Sequence, residues 1–296
     1  MAGFQRRAPR PWRGCGGVKP PGFAGANPGK DAVLLSYQHL YHAGNLADVH
    51  KHALLAWVLD YLTQKDKPLS YIETHAGRGL YDLAAPEAAK TGEAARGVAR
   101  ALPLFDPGHP YARALAQVRS IHGPAAYPGS PMLAALALRP DDSLHLAELH
   151  PQEQAALADA MLFSQAILHR KDGLALALAL TPPTPRRGLM LVDPSYEIKA
   201  DYEALPKLFA SVARKWNVGI LMLWYPILAG AEPADLLARM LATLAANHPA
   251  ALRHEVRFAP ARPGHGLTGS GLFVVNPPFG LAAEAARLAR MLRPLG

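Results

Sequence analysis

Cysteine is nearly absent from the chain, which has 296 residues and a single cysteine, Cys15. One thiol excludes an internal disulfide and a zinc site built from several cysteines. No apolar run approaches the roughly 18 residues that a membrane-spanning helix needs. The longest runs, residues 174–180 and 218–223, have the length of strands. Residues 1–30 lack the apolar middle of a secretory signal, so we predict a cytoplasmic protein that does not enter a membrane.

Acidic residues are missing from the start of the chain. Residues 1–30 contain six Lys and Arg residues and no Asp or Glu, so this segment supplies six of the net +8 charges. The segment is rich in Pro and Gly and has no hydrophobic periodicity, which predicts a disordered basic tail over residues 1–33. Such a tail either helps to hold a polyanion or is a mobile extension. The rest of the chain is close to neutral, so the net charge alone is weak support for a nucleic-acid partner.

Beyond the tail, helical and strand patterns alternate. An aromatic and His-rich arm precedes a helix predicted over residues 45–64, with Asn45 as its N-cap. Apolar runs predict strands over residues 70–73, 143–149, 173–180, 187–195, 218–227, 252–259 and 269–279. Further helices are predicted over residues 151–162, 201–215 and 232–247, and the Ala-rich residues 84–127 predict a helical insertion.

The alternation of buried strands with helices is typical of α/β proteins. It predicts a doubly wound, mostly parallel sheet, and the last two strands predict an antiparallel C-terminal hairpin. Residues 34–296 are expected to form one domain, with residues 84–127 inserted into it. We expect a monomer, because the sequence has no long apolar edge.

Polar residues follow the predicted strands at the edge of the sheet where open α/β proteins bind ligands. The first strand ends on Glu73 and a small-residue turn containing Gly77, which allows close backbone approach to a nucleotide-like ligand. Glu148, after the next strand, suits the two hydroxyls of a ribose, and Asp172-Gly173 suits an adenine edge. The glycine spacing is not a dinucleotide fingerprint, which disfavours a nicotinamide oxidoreductase.

The strand over residues 187–195 runs into Asp193-Pro194-Ser195-Tyr196. An acid, a proline and an aromatic ring at a strand end suit methyl transfer to an exocyclic amine. The carboxylate of Asp193 and the backbone carbonyl before or at Pro194 can accept the two N–H groups, which frees the nitrogen lone pair. The ring of Tyr196 can stack on a base that has been flipped out of its helix.

Seven segments occur in one order along the chain and together carry a family resemblance. They read LSYQHLYHAGNLADVHKHALL, KPLSYIETHAGRGLYDL, YPGSP, AELHP, KDGL, VDPSYE and GSGLFVVNPPF. From about residue 35 to the C-terminus the chain resembles the RlmJ family of bacterial methyltransferases. The resemblance implies a Rossmann-like class I methyltransferase domain with a small helical insertion. It also implies methylation of N6 of one adenine in 23S ribosomal RNA, bare or partly assembled, with S-adenosylmethionine as cofactor.

The same resemblance implies roles for individual residues of this chain. It implies that Asp193 is the catalytic acid and also lies against the cofactor. The residues implied to bind the cofactor are His52, His75, Ser130, Glu148, Asp172 and Gly173. The residues implied to bind the substrate base are Tyr37, Lys51, Pro194 and Tyr196. The family motif is Asp-Pro-Pro-Tyr, so Ser195 departs from it, and we expect a looser turn with reduced preorganisation.

Other interpretations of the sequence concern a second motif, a metal site and alternative functions. The string Asn276-Pro277-Pro278-Phe279 matches the amino-methyltransferase motif more literally, but it follows the last strand, and we predict a structural turn there. Histidines His50 and His52 point away from each other on a helix, so we predict no metal site. A DNA or other amino-methyltransferase and a non-catalytic RNA-binding protein remain alternative functions.

Overall fold

A computed structural model describes residues 39–259 and 266–296 of the chain. The predicted tail over residues 1–33 and the predicted substrate residue Tyr37 lie outside this part. The first long helix, α1 (Leu46–Thr63), confirms the prediction for residues 45–64. Asn45 is its N-cap, because the side-chain oxygen accepts a hydrogen bond of 2.9 Å from the backbone N–H of Asp48.

The predicted elements occur in the predicted order except at residues 173–180. The strands are β1 (Ser70–Glu73), β2 (Leu80–Asp82), β3 (Ala126–Pro128), β4 (Ser143–Ala147), β5 (Ala166–His169), β6 (Gly188–Val192), β7 (Ile220–Leu228), β8 (Leu252–Arg257) and β9 (Leu267–Val275). The helices after α1 are α2 (Pro86–Thr91), α3 (Glu93–Arg96), α4 (Val98–Ala101), α5 (Pro110–His122), α6 (Ser130–Ala137), α7 (Pro151–Ala160), α8 (Gly173–Leu180), α9 (Asp201–Lys215), α10 (Ala231–Asn247) and α11 (Leu281–Leu292). Short 3-10 helices cover His39–Tyr41, Leu102–Leu104 and Arg293–Leu295. The structure adds β2, β3, β5, α6 and α11, which the sequence does not predict.

In the described residues a seven-stranded sheet has the order β5-β4-β1-β6-β7-β9-β8. Strands β4, β5, β6 and β7 run parallel to β1 through pairwise contacts, and β9 runs antiparallel to both β7 and β8. The predicted doubly wound sheet with an antiparallel C-terminal hairpin is therefore confirmed. Asp193 leaves the carboxyl end of β6, and β1 and β7 flank that strand.

The strand prediction for residues 173–180 is wrong, because these residues form helix α8. Alternating Leu and Ala fit either a strand or a short helix, and both residues are strong helix formers. Asp172 decides between them by capping the helix, since its carboxylate accepts a 2.7 Å hydrogen bond from the N–H of Ala175. The actual strand is the half-exposed β5 just before it, whose four residues give too short a pattern to recognise.

The predicted insertion corresponds to a run of helices in the connection from β1 to β4. Helices α2 to α5 lie between β2 and β3, which pair as a two-stranded antiparallel ribbon. The range 84–127 also takes in the first two residues of β3. A buried acid on α3, Glu93, joins this segment to the start of α1 through a 3.0 Å hydrogen bond from the Asn45 side chain.

Two hydrophobic cores cover the two faces of the main sheet. One core contains α1, the helical segment and α11, with Tyr71, Tyr111 and Tyr127 among its fully buried side chains. The other is built on α9 and α10 and includes Phe209 and Trp216. Among the described helices, none combines the length and the apolar composition needed to cross a membrane.

Candidate active site

The carboxylate of Asp193 lies at the carboxyl edge of the sheet and is paired with a lysine from α1. The ammonium of Lys51 donates a 2.6 Å hydrogen bond to Oδ2 of Asp193 and lies 3.3 Å from Oδ1 of Asp48. The Lys51 side chain is 5% exposed and that of Asp193 is 12% exposed. Lys51 lies one helical turn after Asp48, so the first two turns of α1 present this cation to the end of β6.

Electrostatics keep the Lys51 side chain charged. Burial favours the neutral amine, but the carboxylates of Asp193 and Asp48 outweigh burial and hold the pKa of Lys51 above its ordinary value. The ammonium also lies 5.2 Å from the ring centroid of Trp224 on β7, at cation–π distance. The sequence predicted Lys51 as a substrate-binding residue, and the structure places its charge directly on the predicted catalytic acid.

Asp48 links α1 to the short 3-10 helix that precedes it. Its Oδ2 accepts hydrogen bonds from Nε2 of His39 at 2.8 Å and from the N–H of Gly44 at 2.9 Å. Burial acts to raise the pKa of Asp48, but the charges of His39 and Lys51 and the hydrogen bond from His39 lower it well below its usual range. The ionised carboxylate of Asp48 therefore stabilises the buried ammonium of Lys51 together with that of Asp193.

His52, predicted to contact the cofactor, is buried in the first core. Its Nδ1 lies 2.9 Å from the hydroxyl of Tyr127 on β3. Burial lowers the pKa of His52 to about 3, against the opposing charge of Asp48 and with help from Lys51 and His39. The ring is a neutral packed histidine, and its cofactor role stays a prediction.

Ser130, also predicted to contact the cofactor, is bonded to the buried carboxyl that ends β1. Its hydroxyl donates a 2.5 Å hydrogen bond to Oε1 of Glu73, and the hydroxyl of Tyr71 donates one of 2.9 Å to Oε2. Burial raises the pKa of Glu73 to about 8, the two hydroxyl groups oppose this, and the nearby charge of Asp193 adds to it. Glu73 thus places an acid that titrates near neutral pH beside Asp193, a feature that the sequence does not reveal.

The turn after β1 and the acid after β4 form a small cradle. Oε2 of Glu148 accepts a 2.7 Å hydrogen bond from the N–H of Gly77, and Oε1 accepts one of 2.7 Å from the N–H of His150. Gly77 has φ +62°, and a Cβ there would lie 2.8 Å from the Tyr81 hydroxyl. The carboxylate keeps further lone pairs for donors such as ribose hydroxyls. This donor and acceptor set fits the nucleoside part of S-adenosylmethionine.

The turn after β5, which contains Asp172 and Gly173, packs against the turn after β1, which contains His75. Gly173 packs so tightly that a Cβ would lie 1.8 Å from the carbonyl oxygen of Thr74, which places the start of α8 against the β1 turn. Nδ1 of His75 lies 2.8 Å from Oγ1 of Thr74. Burial lowers the pKa of His75 below its ordinary value, although the charges of Asp193 and Asp172 act to raise it. This histidine therefore lies within the electrostatic field of both acids.

Tyr196 differs most from its expected setting. Its ring is 7% exposed, its hydroxyl donates a 2.7 Å hydrogen bond to the carbonyl of Trp224, and it packs against Tyr202 at 5.1 Å between centroids. Its φ of +59° lies in the left-handed region, which is unusual for an aromatic residue. Pro194 is buried beside it and Ser195 is exposed. The stacking role of Tyr196 and the substrate role of Pro194 stay predictions.

Asn276 lies at the opposite edge of the sheet from Asp193. It follows the end of β9, has φ +53°, and its amide donates to the carbonyls of Asn217 at 3.0 Å and Gly219 at 2.8 Å. Both carbonyls precede β7, so they belong to the amino edge of the parallel strands. These bonds give Asn276 a turn-forming function and support the prediction that it is structural.

The histidines of α1 do not group with other ligands. Within residues 39–259 and 266–296, no set of three or more His, Cys, Asp or Glu side chains is arranged to hold a metal ion. His50 instead contacts Ser270 on β9 and His254 on β8. Sequence reasoning missed Trp224, and its only signal is a tryptophan in the strand next to the one that ends on Asp193.

The strand order and the cradle define the class of protein. Counted along the chain, the seven strands of the main sheet lie in the order 3-2-1-4-5-7-6, and the seventh runs antiparallel to the strands on both of its sides. With a glycine turn after the first strand and an acid after the second, this is a class I S-adenosylmethionine-dependent methyltransferase, and S-adenosylmethionine is the cofactor of that class.

Comparison with known proteins identifies the family. The family described as RsmJ, ribosomal RNA large subunit methyltransferase D, RlmJ, matches residues 66–294. The chain is 38% identical over 256 residues to the ribosomal RNA large subunit methyltransferase J of Escherichia coli K12, covering 85% of this chain and 90% of that protein. The protein of the same name from Haemophilus influenzae is 34% identical over the same shares. The chain belongs to this family.

A solved structure has the same fold over most of its length. It is a protein from Legionella pneumophila strain Philadelphia 1, with 33% sequence identity and a TM-score of 0.78. The match covers 86% of this chain and 94% of that one. The two chains therefore share their fold over most of both lengths.

Proposed function

We propose that this protein transfers the methyl group of S-adenosylmethionine to the exocyclic N6 of one adenine in 23S ribosomal RNA, bare or in a partly assembled large subunit. The observation that carries the proposal is the buried Lys51–Asp193 pair after β6, at the same edge of the sheet as the Glu148 cradle after β4. The names of the Escherichia coli and Haemophilus influenzae relatives support the large-subunit RNA as substrate.

Asp193 prepares the amine for attack. The lone pair of an exocyclic amine is delocalised into the purine, so hydrogen bonds that pyramidalise the nitrogen raise its reactivity. Lys51 holds Oδ2 of Asp193, which orients the carboxylate so that Oδ1 can accept an N–H of the base. The backbone carbonyl before or at Pro194 accepts the second N–H.

Proton movement follows the attack rather than preceding it. S-adenosylmethionine supplies an electrophilic methyl group on a sulfonium. The amine nitrogen becomes acidic only after it has gained the methyl group, so Asp193 need not be a strong base and can receive that proton as it leaves. Before the transfer Lys51 is charged, since the carboxylates of Asp193 and Asp48 hold its pKa above the ordinary value. The residue implied to stack on the base from the arm, Tyr37, completes the proposed site.

Substrate assays test the proposal against its alternatives. The purified chain with tritiated S-adenosylmethionine is expected to label protein-free 23S RNA at one adenine, and mass mapping should identify N6-methyladenine there. A DNA enzyme would label adenine-containing duplex or single-stranded DNA instead, because A-form RNA presents 2′-hydroxyls that DNA lacks. A non-catalytic RNA-binding protein would bind RNA and transfer no label.

The physical state of the enzyme is part of the same proposal. We propose a monomer that acts in the cytoplasm without a metal ion. Sedimentation should give a mass near 31.7 kDa rather than twice that value. Dialysis against a chelator should leave the rate of transfer unchanged, because the proposed proton acceptor is a carboxylate.

A further inference from the structure

A chain of hydrogen bonds runs from the outer hairpin strand to the tryptophan beside Lys51. Ser270 on β9 is completely buried. Its Oγ lies 2.9 Å from Nε1 of Trp224 and 2.9 Å from Nδ1 of His50 on α1. Nε2 of His50 lies 3.0 Å from Nδ1 of His254 on β8. These contacts join α1, β7, β9 and β8 at one point.

Counting donors fixes the direction of the bond between Trp224 and Ser270. An indole N–H can only donate, so the oxygen of Ser270 accepts from Trp224. Oγ of Ser270 keeps one hydrogen and a second lone pair, so it can pair with Nδ1 of His50 in either tautomer of that ring. Burial lowers the pKa of His50 to about 3, with help from His254, and burial also lowers that of His254 against the charge of Glu255. Both shifts favour the neutral form of the imidazole ring.

Residue Trp224 is consequently held by hydrogen bonds both at its indole nitrogen and at its backbone carbonyl. Ser270 holds the ring nitrogen, and the hydroxyl of Tyr196 holds the backbone carbonyl. The ring centroid lies 5.2 Å from the ammonium of Lys51, which in turn donates to Asp193. The plane that the indole offers to Lys51 therefore depends on the acceptor that Ser270 provides.

We propose that Ser270 is a positioning residue for methyl transfer, because it orients the indole of Trp224 that keeps the Lys51 ammonium on Asp193. The kinetic part of the proposal rests on the proposed function. A merely structural Ser270 would stabilise the hairpin without reaching the active site. The chain offers a matched comparison, since the hydroxyl of Tyr225 also joins β7 to the hairpin, through a 2.9 Å hydrogen bond to Glu255.

A double-mutant cycle on the full chain separates these roles. Ser270→Ala leaves the indole N–H unpaired, and we expect a loss of about 10-fold in kcat for transfer to 23S RNA with an unchanged KM for S-adenosylmethionine. Trp224→Phe should lose at least as much. The double variant should match Trp224→Phe alone, because Ser270 acts only through the indole. Tyr225→Phe should keep the wild-type kcat.

The NMR resonance of the Trp224 indole N–H tests the proposed hydrogen bond independently of any enzyme assay. In protein labelled with ¹⁵N-tryptophan, the indole resonance of Trp224, assigned with Trp224→Phe, should shift in Ser270→Ala and stay in place in Tyr225→Phe. Ser270→Cys keeps the side-chain shape but accepts weakly, so it should give a smaller shift and a smaller loss, and it replaces the alanine variant if that does not fold.

Two results would overturn the positioning role. One is a wild-type kcat in Ser270→Ala or, failing that variant, in Ser270→Cys. The other is a double variant in which the two losses multiply. A wild-type chain that transfers no methyl group would defeat the proposed function instead, and an unshifted Trp224 indole resonance in the Ser270 variant would then still reject the hydrogen-bond chain.

Discussion

Two strand ends in this molecule carry strings of similar pattern, DPSY at residues 193–196 and NPPF at residues 276–279, each with an acid or its amide, then proline, and an aromatic residue at the end. After β6, the carboxylate of Asp193 accepts a hydrogen bond from the buried ammonium of Lys51. After β9, the amide of Asn276 donates to two backbone carbonyls. Asp193 therefore has a charged partner that can orient it towards a reacting group, whereas the hydrogen bonds of Asn276 stabilise a turn.

The aromatic residues of the two strings differ in the same way. Tyr196 is buried and bonded to the carbonyl of Trp224, whereas Phe279 is 91% exposed. The edge of the sheet accounts for the contrast, since parallel strands gather their carboxyl ends at the side where ligands bind. The position of a motif in the sheet topology is therefore a better guide to its role than its amino-acid sequence.

The largest expected effect is a direct test of that contrast. Asp193→Ala should lower the rate of methyl transfer by about 10²–10⁴-fold, the range for a group that takes part in proton transfer. Asn276→Ala should retain much of the rate, because it removes only hydrogen bonds at the far edge. Both are measured as tritium transfer to 23S RNA. Activity lost in the asparagine variant and kept in the aspartate variant would reverse our site assignment.

Removal of the cation that distinguishes the first string should have the next largest effect. Lys51→Met leaves Asp48 and Asp193 without their shared partner, and breaking such a buried pair costs about 3–5 kcal/mol of unfolding free energy. We also expect a loss of about 10²-fold in kcat if the carboxylate is no longer oriented. Urea unfolding and transfer assays measure the two effects.

Lys199→Met is the matched control for Lys51→Met. Lys199 forms an ion pair with Glu232, but both side chains are exposed and solvent screens them. Unfolding and activity of this variant should be indistinguishable from wild type. Equal losses from the two lysine variants would mean that the buried pair has no special role at the first strand end.

Glu73 offers a pH test of the electrostatics beside Asp193. Its pKa is raised from 4.5 to about 8 in the folded chain, so the folded state binds a proton that the unfolded state releases over this window. The stability that this group contributes is complete below about pH 4.5 and is lost as the pH rises towards 8. The unfolding free energy of wild type should therefore fall relative to Glu73→Gln by up to about 1.4 kcal/mol per pH unit.

Urea unfolding between pH 5 and 8 measures this difference, and histidine titrations cancel because they occur in both proteins. Glu232→Gln, which changes an exposed acid, should run parallel to wild type. A Glu73→Gln curve that also runs parallel to wild type would show that Glu73 is ionised throughout this range, contrary to its burial beside Asp193.

The smallest expected effect makes the two strings more alike. Ser195→Pro restores the second proline of the family motif and stiffens the turn, which typically adds about 0.4–1 kcal/mol of stability where the backbone is compatible. A modest gain in kcat, below 10-fold by the same scale of free energy, should accompany it. Thermal unfolding and transfer assays apply. A variant that loses activity would show that the N–H of Ser195 is needed in the turn.

Local signals in the sequence predicted most of the fold. The Asn45 cap located the start of α1, and the buried apolar runs located β6 and β7. Residues 173–180 were misassigned, because a Leu and Ala repeat carries no decisive period over eight residues and the capping bond of Asp172 settles its state.

From the residues alone, without the family resemblance, the site was predictable only where it follows strand ends. Asp193 and Glu148 stand at the carboxyl edge for reasons that the chain order reveals. The contact of Lys51 with Asp193 spans 142 residues, and that of Trp224 with Ser270 spans 46. Such pairs depend on how α1 packs on the sheet, and no local pattern encodes them.

A structure of the protein with bound S-adenosylmethionine tests the central claim most directly. The account predicts that the ribose lies on Glu148 and that the methyl carbon points towards the space beside Oδ1 of Asp193. A ligand whose methyl group lies at the opposite edge, near Asn276, or far from Asp193, would contradict it.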